Sequence, residues 1–178
     1  MNMTEHQAPI LETERLVLRH LTMDDLDALF ALYRDPEIRK YFPDGTLTYQ
    51  ETKEELEWII DVYYGQYGFG LWATIHKETG EFIGRCGLLP WTIEGQLEVE
   101  VAYMLAQAYW GQGLATEAAR AIADYAFAHL QVPRLICLVD PENKASGRVA
   151  QKIGMTLEKD DFVDKYGVSH LYVLPRPQ

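Results

Sequence analysis

A chain of 178 residues, of which 48% are hydrophobic and 24% charged, can bury the core of one globular domain, and we predict a single domain over residues 1–178. Its formal net charge of −11 and its lack of a long Lys/Arg run argue against direct nucleic-acid binding, because phosphate backbones bind basic surfaces. No apolar stretch approaches the roughly 20 residues of a membrane span, and no apolar signal region is present, so we expect a cytoplasmic protein that binds no membrane.

The first elements are a strand and two helices. We predict a loose tail over residues 1–10, and the apolar alternation of ETERLVLRHL then predicts a strand. Thr22 is placed to cap a helix over about Met23–Arg34, which Asp35-Pro36 ends. The irregular segment IRKYFPDGTLT contains two aromatic residues, which suit either packing or one wall of a substrate pocket. A capping box at Thr48–Glu51 opens the second helix.

Three strands follow, over GLWATIH, EFIGRCGLLPW and LEVEVAYML. The turns between them are short, so the strands are predicted to be antiparallel. In the third strand Glu98 and Glu100 share one face with Ala102 and Met104. One interpretation is an exposed sheet face, which is usual in an antiparallel meander. The other is that at least one of the two carboxylates faces a cleft as a base.

A loop with two glycines, Gly111 and Gly113, leads into an amphipathic helix predicted over Leu114–Leu130, with a core-facing stripe that extends to His129. Free N–H groups at a helix start suit phosphate oxygens, and glycines let the chain wrap closely around a diphosphate. The plainer interpretation is that the two glycines only turn the chain.

The last third of the chain predicts a β-α-β crossover and two closing strands. RLICLVD is continuously apolar and follows a helix, which predicts a strand parallel to LEVEVAYML and therefore a mixed sheet. A short helix is predicted over about Ala145–Ile153, and MTLEKD and SHLYVLP are predicted strands. Acidic residues cluster in the predicted loop before the last strand and elsewhere, and they would surround a cationic substrate or form ordinary solvated surface: Glu158, Asp160, Asp161, Asp164, Glu98, Glu100 and Asp44.

The two cysteines, Cys86 and Cys137, each lie in an apolar strand-like run, which predicts buried free thiols. The five histidines are scattered along the sequence. Neither residue type shows the spacing of metal ligands, so no metal site is predicted.

Four motifs in order resemble the GNAT acyltransferase superfamily, in the branch of RimJ/RimL ribosomal-protein N-acetyltransferases: TERLVLRHLTMDDL, GEFIGRCGL, EVAYMLAQAYWGQGLATEA and AFAHLQVPRLICLVDPENKASGRVAQKIGM. The resemblance covers nearly the whole chain. It implies an α/β (α+β) fold with a mixed, centrally splayed seven-stranded sheet and helices on both faces. It also implies an enzyme that uses acetyl-CoA as its cosubstrate, with no metal.

The resemblance further implies how the cosubstrate is held. The pantetheine arm would lie in the splayed opening and pair with main-chain groups around Tyr103, Met104 and Leu105. Asn143 and Ser146 would approach the thiol end, although Asn143 is equally well placed to be a helix cap. The diphosphate would lie on the loop and first helical turn, which comprise Trp110, Gly111, Gln112, Gly113, Leu114, Ala115 and Thr116.

The expected chemistry is direct attack of an amine on the thioester, because no nucleophile with an adjacent base is apparent. Glu100 is predicted to be the base that takes the amine proton. A strand N–H near Met104 or Leu105 would stabilise the oxyanion. Two residues depart from the family pattern: Trp110 replaces the usual Gln or Arg, and Ala150 replaces a tyrosine presumed to protonate the thiolate. That proton must come from Ser146, from water, or from no acid.

The acceptor is predicted to be a primary amine, and a protein or peptide N-terminal α-amine ranks first on the family resemblance. A polyamine or an aminoglycoside also fits an acidic protein. A different class of function is a non-catalytic module that binds acyl-CoA. The protein is expected to be a monomer or a homodimer.

Overall fold

Eight strands form one mixed sheet in the computed structural model, which describes residues 8–178. The sheet order is β1-β2-β3-β4-β5-β6-β8-β7. The strands are β1 Pro9–Glu12, β2 Leu16–His20, β3 Leu71–His76, β4 Phe82–Ile93, β5 Gln96–Leu105, β6 Arg134–Val139, β7 Thr156–Asp164 and β8 Gly167–Pro175. The helices are α1 Leu26–Tyr33, α2 Tyr49–Trp58, α3 Leu114–His129 and α4 Lys144–Lys152.

The strand count is eight rather than the predicted seven because β1 pairs with β2 in antiparallel orientation. Its residues Pro9 and Ile10 lie in the stretch predicted to be a tail, and residues 1–7 of that stretch lie outside the described range. Ile10 and Leu11 pack against the core. Four residues are too few to show a periodic pattern in the sequence. The β1 strand forms because these residues pair with β2.

The predicted helix starts are confirmed at both N-terminal helices. A 3₁₀ turn over Met23–Asp25 leads directly into α1. At α2 the Glu51 carboxylate accepts from the Thr48 N–H at 2.7 Å, and the Glu51 N–H donates to the Thr48 hydroxyl at 3.3 Å. The α2 helix continues as a wider π-helical segment over Ile59–Tyr67, which ends at Gly68 in the left-handed region.

The sheet opens at its centre. Strands β2 to β5 form an antiparallel meander, and α3 then carries the chain over to β6, which is parallel to β5 as predicted. The two parallel strands are paired only at Glu100 and Ile136. Beyond that point they diverge, so the main-chain groups at the C-terminal end of β5 have no partner strand on the β6 side.

Apolar cores cover both faces of the sheet, with α3 and α4 on one face and α1 and α2 on the other. Cys86 and Cys137 are buried free thiols, as predicted. The predicted stripe on α3 is confirmed except at His129, which is exposed and stacks on Tyr125 at the end of the helix.

Within the described range no helix has the length and apolar character that crossing a bilayer requires.

Candidate functional site

A cleft of about 1790 Å³ opens where β5 and β6 diverge. Its walls bring together all the predicted site residues except one: Glu100, Tyr103, Met104, Leu105, Trp110, Gly111, Gly113, Leu114, Ala115, Thr116, Asn143 and Ser146. The exception is Gln112, which is exposed and whose side-chain amide donates to the Ala108 carbonyl at 2.9 Å.

The main chain of β5 presents alternate residues to the opening. The Ala106 N–H donates to the Ile83 carbonyl of β4 at 2.7 Å. Because successive residues of an antiparallel pair point their main-chain groups in opposite directions, those of Met104 face β4 while those of Tyr103 and Leu105 face the opening. The Leu105 carbonyl accepts the Trp110 indole N–H at 2.8 Å. The amide N–H groups of Tyr103 and Leu105 and the Tyr103 carbonyl therefore face an incoming ligand.

The loop before α3 is shaped by left-handed glycines, with φ of 72° at Gly111 and 80° at Gly113. The helix begins at Leu114, and its first N–H groups have no acceptor within the helix. Together with the positive end of the helix dipole, these N–H groups form a site suited to phosphate oxygens at one end of the cleft.

Arg15, which the sequence reasoning did not select, holds this loop in place. Its guanidinium donates to the Gln112 carbonyl at 3.0 Å and to the Glu117 carboxylate at 2.7 Å. The Thr13 hydroxyl donates to the same carboxylate at 2.6 Å. The negative charge of Glu117 in the first turn of α3 is thus neutralised, so it does not oppose an anion bound there.

Glu100 is only 7% exposed and accepts two hydrogen bonds, one of them across the splay point. One carboxylate oxygen accepts from the Trp91 indole N–H at 2.6 Å, and the other accepts from the Leu138 N–H of β6 at 3.0 Å. The interpretation of an exposed sheet face is therefore wrong for Glu100. Burial raises the pKa of its carboxyl to about 7, and the two hydrogen bonds only partly offset that effect. Such a group exchanges protons near neutral pH.

On the other side of the opening, the Tyr103 hydroxyl reaches the start of α4. It donates to the Ser146 carbonyl at 2.8 Å and lies 3.0 Å from the Ser146 hydroxyl. The Asn143 side-chain oxygen accepts from the Ser146 N–H at 3.1 Å, so its role as a helix cap is confirmed. Burial raises the pKa of the Tyr103 phenol, which therefore keeps its proton at neutral pH. The sequence reasoning used only the main chain of this residue.

The face of the cleft toward α1 and α2 has aromatic, acidic and basic groups. Trp91 and Tyr166 meet edge to face with centroids 5.9 Å apart, and Asp164 lines the cleft beside them. Arg85 lies deeper on the same face. Tyr166 lies in none of the four motifs, and Arg85 lies in GEFIGRCGL, which gave no role to its side chain.

Three of the seven residues in the predicted acidic cluster form ion pairs within the protein. Arg134 binds Glu98 at 2.6 Å and Glu158 at 2.9 Å, and Asp44 binds Arg39 at 2.5 Å. The strand predicted over MTLEKD is longer than expected: residues 161–164, predicted to lie in a loop, belong to edge strand β7, which pairs with β8. Among residues 8–178 no three His, Cys, Asp or Glu side chains are grouped so as to hold a metal ion.

Comparison with known proteins matches this chain to one family model and to several relatives. The model described as "Acetyltransferase (GNAT) domain" matches residues 15–156. The uncharacterized protein YkkB of Bacillus subtilis is 43% identical over 150 residues, which is 84% of this chain and 86% of that protein. The structure of an acetyltransferase from Agrobacterium tumefaciens is similar with a TM-score of 0.78 and 30% identity, over 98% of each chain.

Two more distant structures share the fold. A ribosomal L7/L12 α-N-protein acetyltransferase in complex with coenzyme A has a TM-score of 0.76 and 18% identity, over 94% of this chain and 98% of that one. A spermidine N-acetyltransferase from Vibrio cholerae, in complex with coenzyme A and spermine, has a TM-score of 0.75 and 18% identity, over 92% and 97%.

Proposed function

Since this chain belongs to the GNAT family and is an acetyl-CoA-dependent N-acetyltransferase, we propose that its acceptor is an α-amine, as at the N-terminus of a peptide, and that Glu100 is the base. The observation that carries this proposal is the carboxylate of Glu100 at the point where β5 and β6 separate. The amine would attack the thioester directly, with both substrates bound in the cleft.

The shape of the cleft supports a bound acetyl-CoA. In this proposal its diphosphate lies on the N–H groups between Gly111 and Thr116, which include the free N–H groups of the first turn of α3. Its pantetheine amides pair with the main chain of Tyr103 and Leu105, as an added strand would. Coenzyme A is bound in the related ribosomal-protein acetyltransferase structure. The thioester then reaches the end of the opening nearest Glu100.

The pKa of Glu100 favours an α-amine over a lysine-like amine. An α-ammonium group has a pKa of about 7.7 to 8.0, whereas that of lysine is about 10.4. A base with a pKa of about 7 is matched to the first and is about three units too weak for the second. Glu100 accepts one hydrogen bond on each oxygen, which leaves acceptor capacity for the amine or for a bridging water.

The departing thiolate would take its proton from the Tyr103 hydroxyl, and the phenolate would regain a proton from solvent through the Ser146 hydroxyl. The two hydroxyls lie 3.0 Å apart and both line the cleft. Together they supply the acid that Ala150 cannot, because Ala150 has no polar side chain and is fully buried. The Leu105 N–H is the donor proposed for the oxyanion, since it faces the opening.

A small cationic amine is the second candidate acceptor, and the rim of the cleft supports it. Trp91 and Tyr166 present aromatic rings beside Asp164, and this combination attracts ammonium groups through cation–π and ionic interactions. The related spermidine acetyltransferase structure contains spermine. A polyamine or an aminoglycoside would bind in this way.

Thiol release from acetyl-CoA, measured with a panel of amines and followed by mass spectrometry of the products, tests the proposal. We expect turnover with peptides that carry a free α-amine and none with the same peptides after N-terminal blocking. Faster turnover with polyamines would favour the second candidate. Tight coenzyme A binding without turnover of any amine would instead indicate a non-catalytic acyl-CoA-binding module.

Tyr103→Phe is expected to lower kcat about 100-fold, which is at the low end of the usual contribution of a general acid. The ring is kept, so the KM for acetyl-CoA should change little. The decisive measurement uses a thioester whose thiol has a lower pKa and leaves without protonation: its turnover should be nearly unaffected by the substitution. An equal loss with both thioesters would show that Tyr103 only packs.

A further inference from the structure

Arg85 of β4 is a buried cation without a carboxylate partner. Its side chain is 4% exposed, and its Nε donates to the Tyr33 hydroxyl at 2.7 Å. That hydroxyl donates in turn to Glu55 at 2.6 Å, so the nearest acidic group is reached only through a phenol. Among residues 8–178 no carboxylate forms an ion pair with Arg85.

Arg39 provides the comparison within the same part of the fold. It is 2% exposed and lies over the same Tyr33 ring, at 5.0 Å from the centroid compared with 5.5 Å for Arg85. Arg39, however, binds Asp44 at 2.5 Å and the Gly45 carbonyl at 2.6 Å. A guanidinium stays charged at every physiological pH, so a buried one is costly unless it is paired. Arg85 lacks the anion that Arg39 has.

The free end of Arg85 opens onto the cleft. Neither of its Nη atoms makes a hydrogen bond within the described range. The only fully enclosed side-chain nitrogen or oxygen atoms without a partner there are Trp72 Nε1 and Thr74 Oγ1. The Nη atoms are therefore reachable from the cleft that Arg85 lines. The N–H groups on these two Nη atoms, which we call the Arg85 fork, donate to no protein atom within the described range.

Arg85 and Glu100 lie on the same face of two adjacent strands. Arg85 is paired with Met104 and Glu100 with Leu89, so the two positions are separated by four residues along the ladder. With the spacing between the strands included, their Cα atoms are thus about 14 Å apart, and both residues line the cleft. Between them the small side chain of Ala102 lines the cleft. The cleft therefore holds a base and an unpaired cation, with room between them for a small molecule.

We propose that Arg85 binds a carboxylate of the acceptor, so that among α-amines the preferred acceptor is a free α-amino acid, whose amine faces Glu100 while its carboxylate rests on the Arg85 fork, and peptide α-amines are slower acceptors. This inference rests on the proposed function, because it concerns the acceptor of the same reaction. A guanidinium and a carboxylate form two parallel hydrogen bonds, which fixes orientation as well as adding affinity. A polyamine has no group for this fork, and a peptide N-terminus offers it only a neutral carbonyl.

The test compares free L-amino acids with their primary amides as acceptors at saturating acetyl-CoA. Both carry an α-amine, and only the first carries a carboxylate. We expect kcat/KM to be at least tenfold higher for the free acid, with the difference in KM. In Arg85→Gln we expect kcat/KM for the acid to fall about 30-fold, within the range of charge-assisted hydrogen bonds, while the value for the amide stays unchanged.

Control experiments separate the loss of carboxylate recognition from a loss of folding and from the loss of one positive charge. Arg34→Gln removes the same charge from an exposed helix end outside the cleft, and it should leave the preference for the acid intact. The melting temperature and coenzyme A affinity of Arg85→Gln show whether the fold is kept. If that variant does not fold, the wild-type comparison of acid with amide still decides.

Three outcomes would overturn parts of the proposal in distinguishable ways. Equal use of acid and amide by the wild type, or use of polyamines alone, would overturn the role of Arg85 and leave acetyl transfer standing. Equal losses with acid and amide in Arg85→Gln would show a structural role only. Turnover of no amine would overturn the proposed function, and this inference with it.

Discussion

Replacing Glu100 by glutamine is expected to lower kcat by about 10²- to 10⁴-fold, which is the usual contribution of a general base. Glutamine keeps the size of the side chain and an oxygen for the Leu138 N–H, but it cannot take a proton. The KM for acetyl-CoA should change little, because Glu100 lies away from the loop before α3. Steady-state thiol release with the best acceptor of the panel measures both constants.

The pH profile identifies the mechanism behind that loss. A base must be unprotonated, so wild-type kcat/KM should rise with pH through an apparent pKa of about 7. In Glu100→Gln this rise of kcat/KM with pH should disappear, so that only the pH dependence caused by protonation of the amine itself is left. Glu98→Gln is the matched control, since Glu98 lies on the same face of β5 but binds Arg134. If kcat/KM of Glu100→Gln still rises with pH as in the wild type, Glu100 is not the titrating base.

Glu100 should also make the stability of the protein depend on pH. Its pKa is raised from 4.5 in the unfolded chain to about 7 in the folded state, so the folded state holds the extra proton between those values. Folding stability from this group is therefore highest below pH 4.5, falls as the pH rises, and levels off above pH 7. The difference is about 3 kcal/mol at most. Urea unfolding at pH 5 and pH 8 should show this fall in the wild type and a smaller one in Glu100→Gln.

Replacing Gly113 by valine is expected to raise the Kd for coenzyme A about 100-fold, the largest binding effect we expect. Gly113 has φ of 80°, a conformation that β-branched residues strongly resist, so the loop must rearrange. Rearrangement would turn the N–H groups at the start of α3 away from the diphosphate. Losing one or two charge-assisted hydrogen bonds accounts for a change of this size. Calorimetric titration with coenzyme A measures it.

Gly80→Val is the control for backbone strain. Gly80 has φ of 71° with no atom within 4 Å of an added Cβ, and it lies in the turn between β3 and β4, outside the cleft. Both variants should lose similar stability in thermal unfolding. Only Gly113→Val should lose affinity for coenzyme A. Wild-type affinity in Gly113→Val, with its fold intact, would contradict a diphosphate site at this loop.

Local sequence patterns were sufficient for most elements of this fold. The capping box at Thr48 and Glu51, the strand β5 and the apolar stripe of α3 depend on residues only a few positions apart, and they are confirmed except for His129 at the end of the stripe. The order of these elements predicted the parallel pairing of β5 with β6, because a crossover helix between two neighbouring strands of a sheet usually makes them parallel. The glycine loop and the motif residues likewise led to the cleft.

The contacts that give this cleft its chemistry were decided by the tertiary structure. Arg15 reaches Glu117 across 102 positions, Tyr103 reaches Ser146 across 43, and Arg85 meets Tyr33 across 52. No periodicity or short motif links such residues, because the sheet brings them together only when distant strands pair. The sequence by itself determined the elements and their order, since these depend on local backbone and side-chain preferences. Which charges are paired, and which one is left facing the cleft, depended on packing between parts of the chain that share no local pattern.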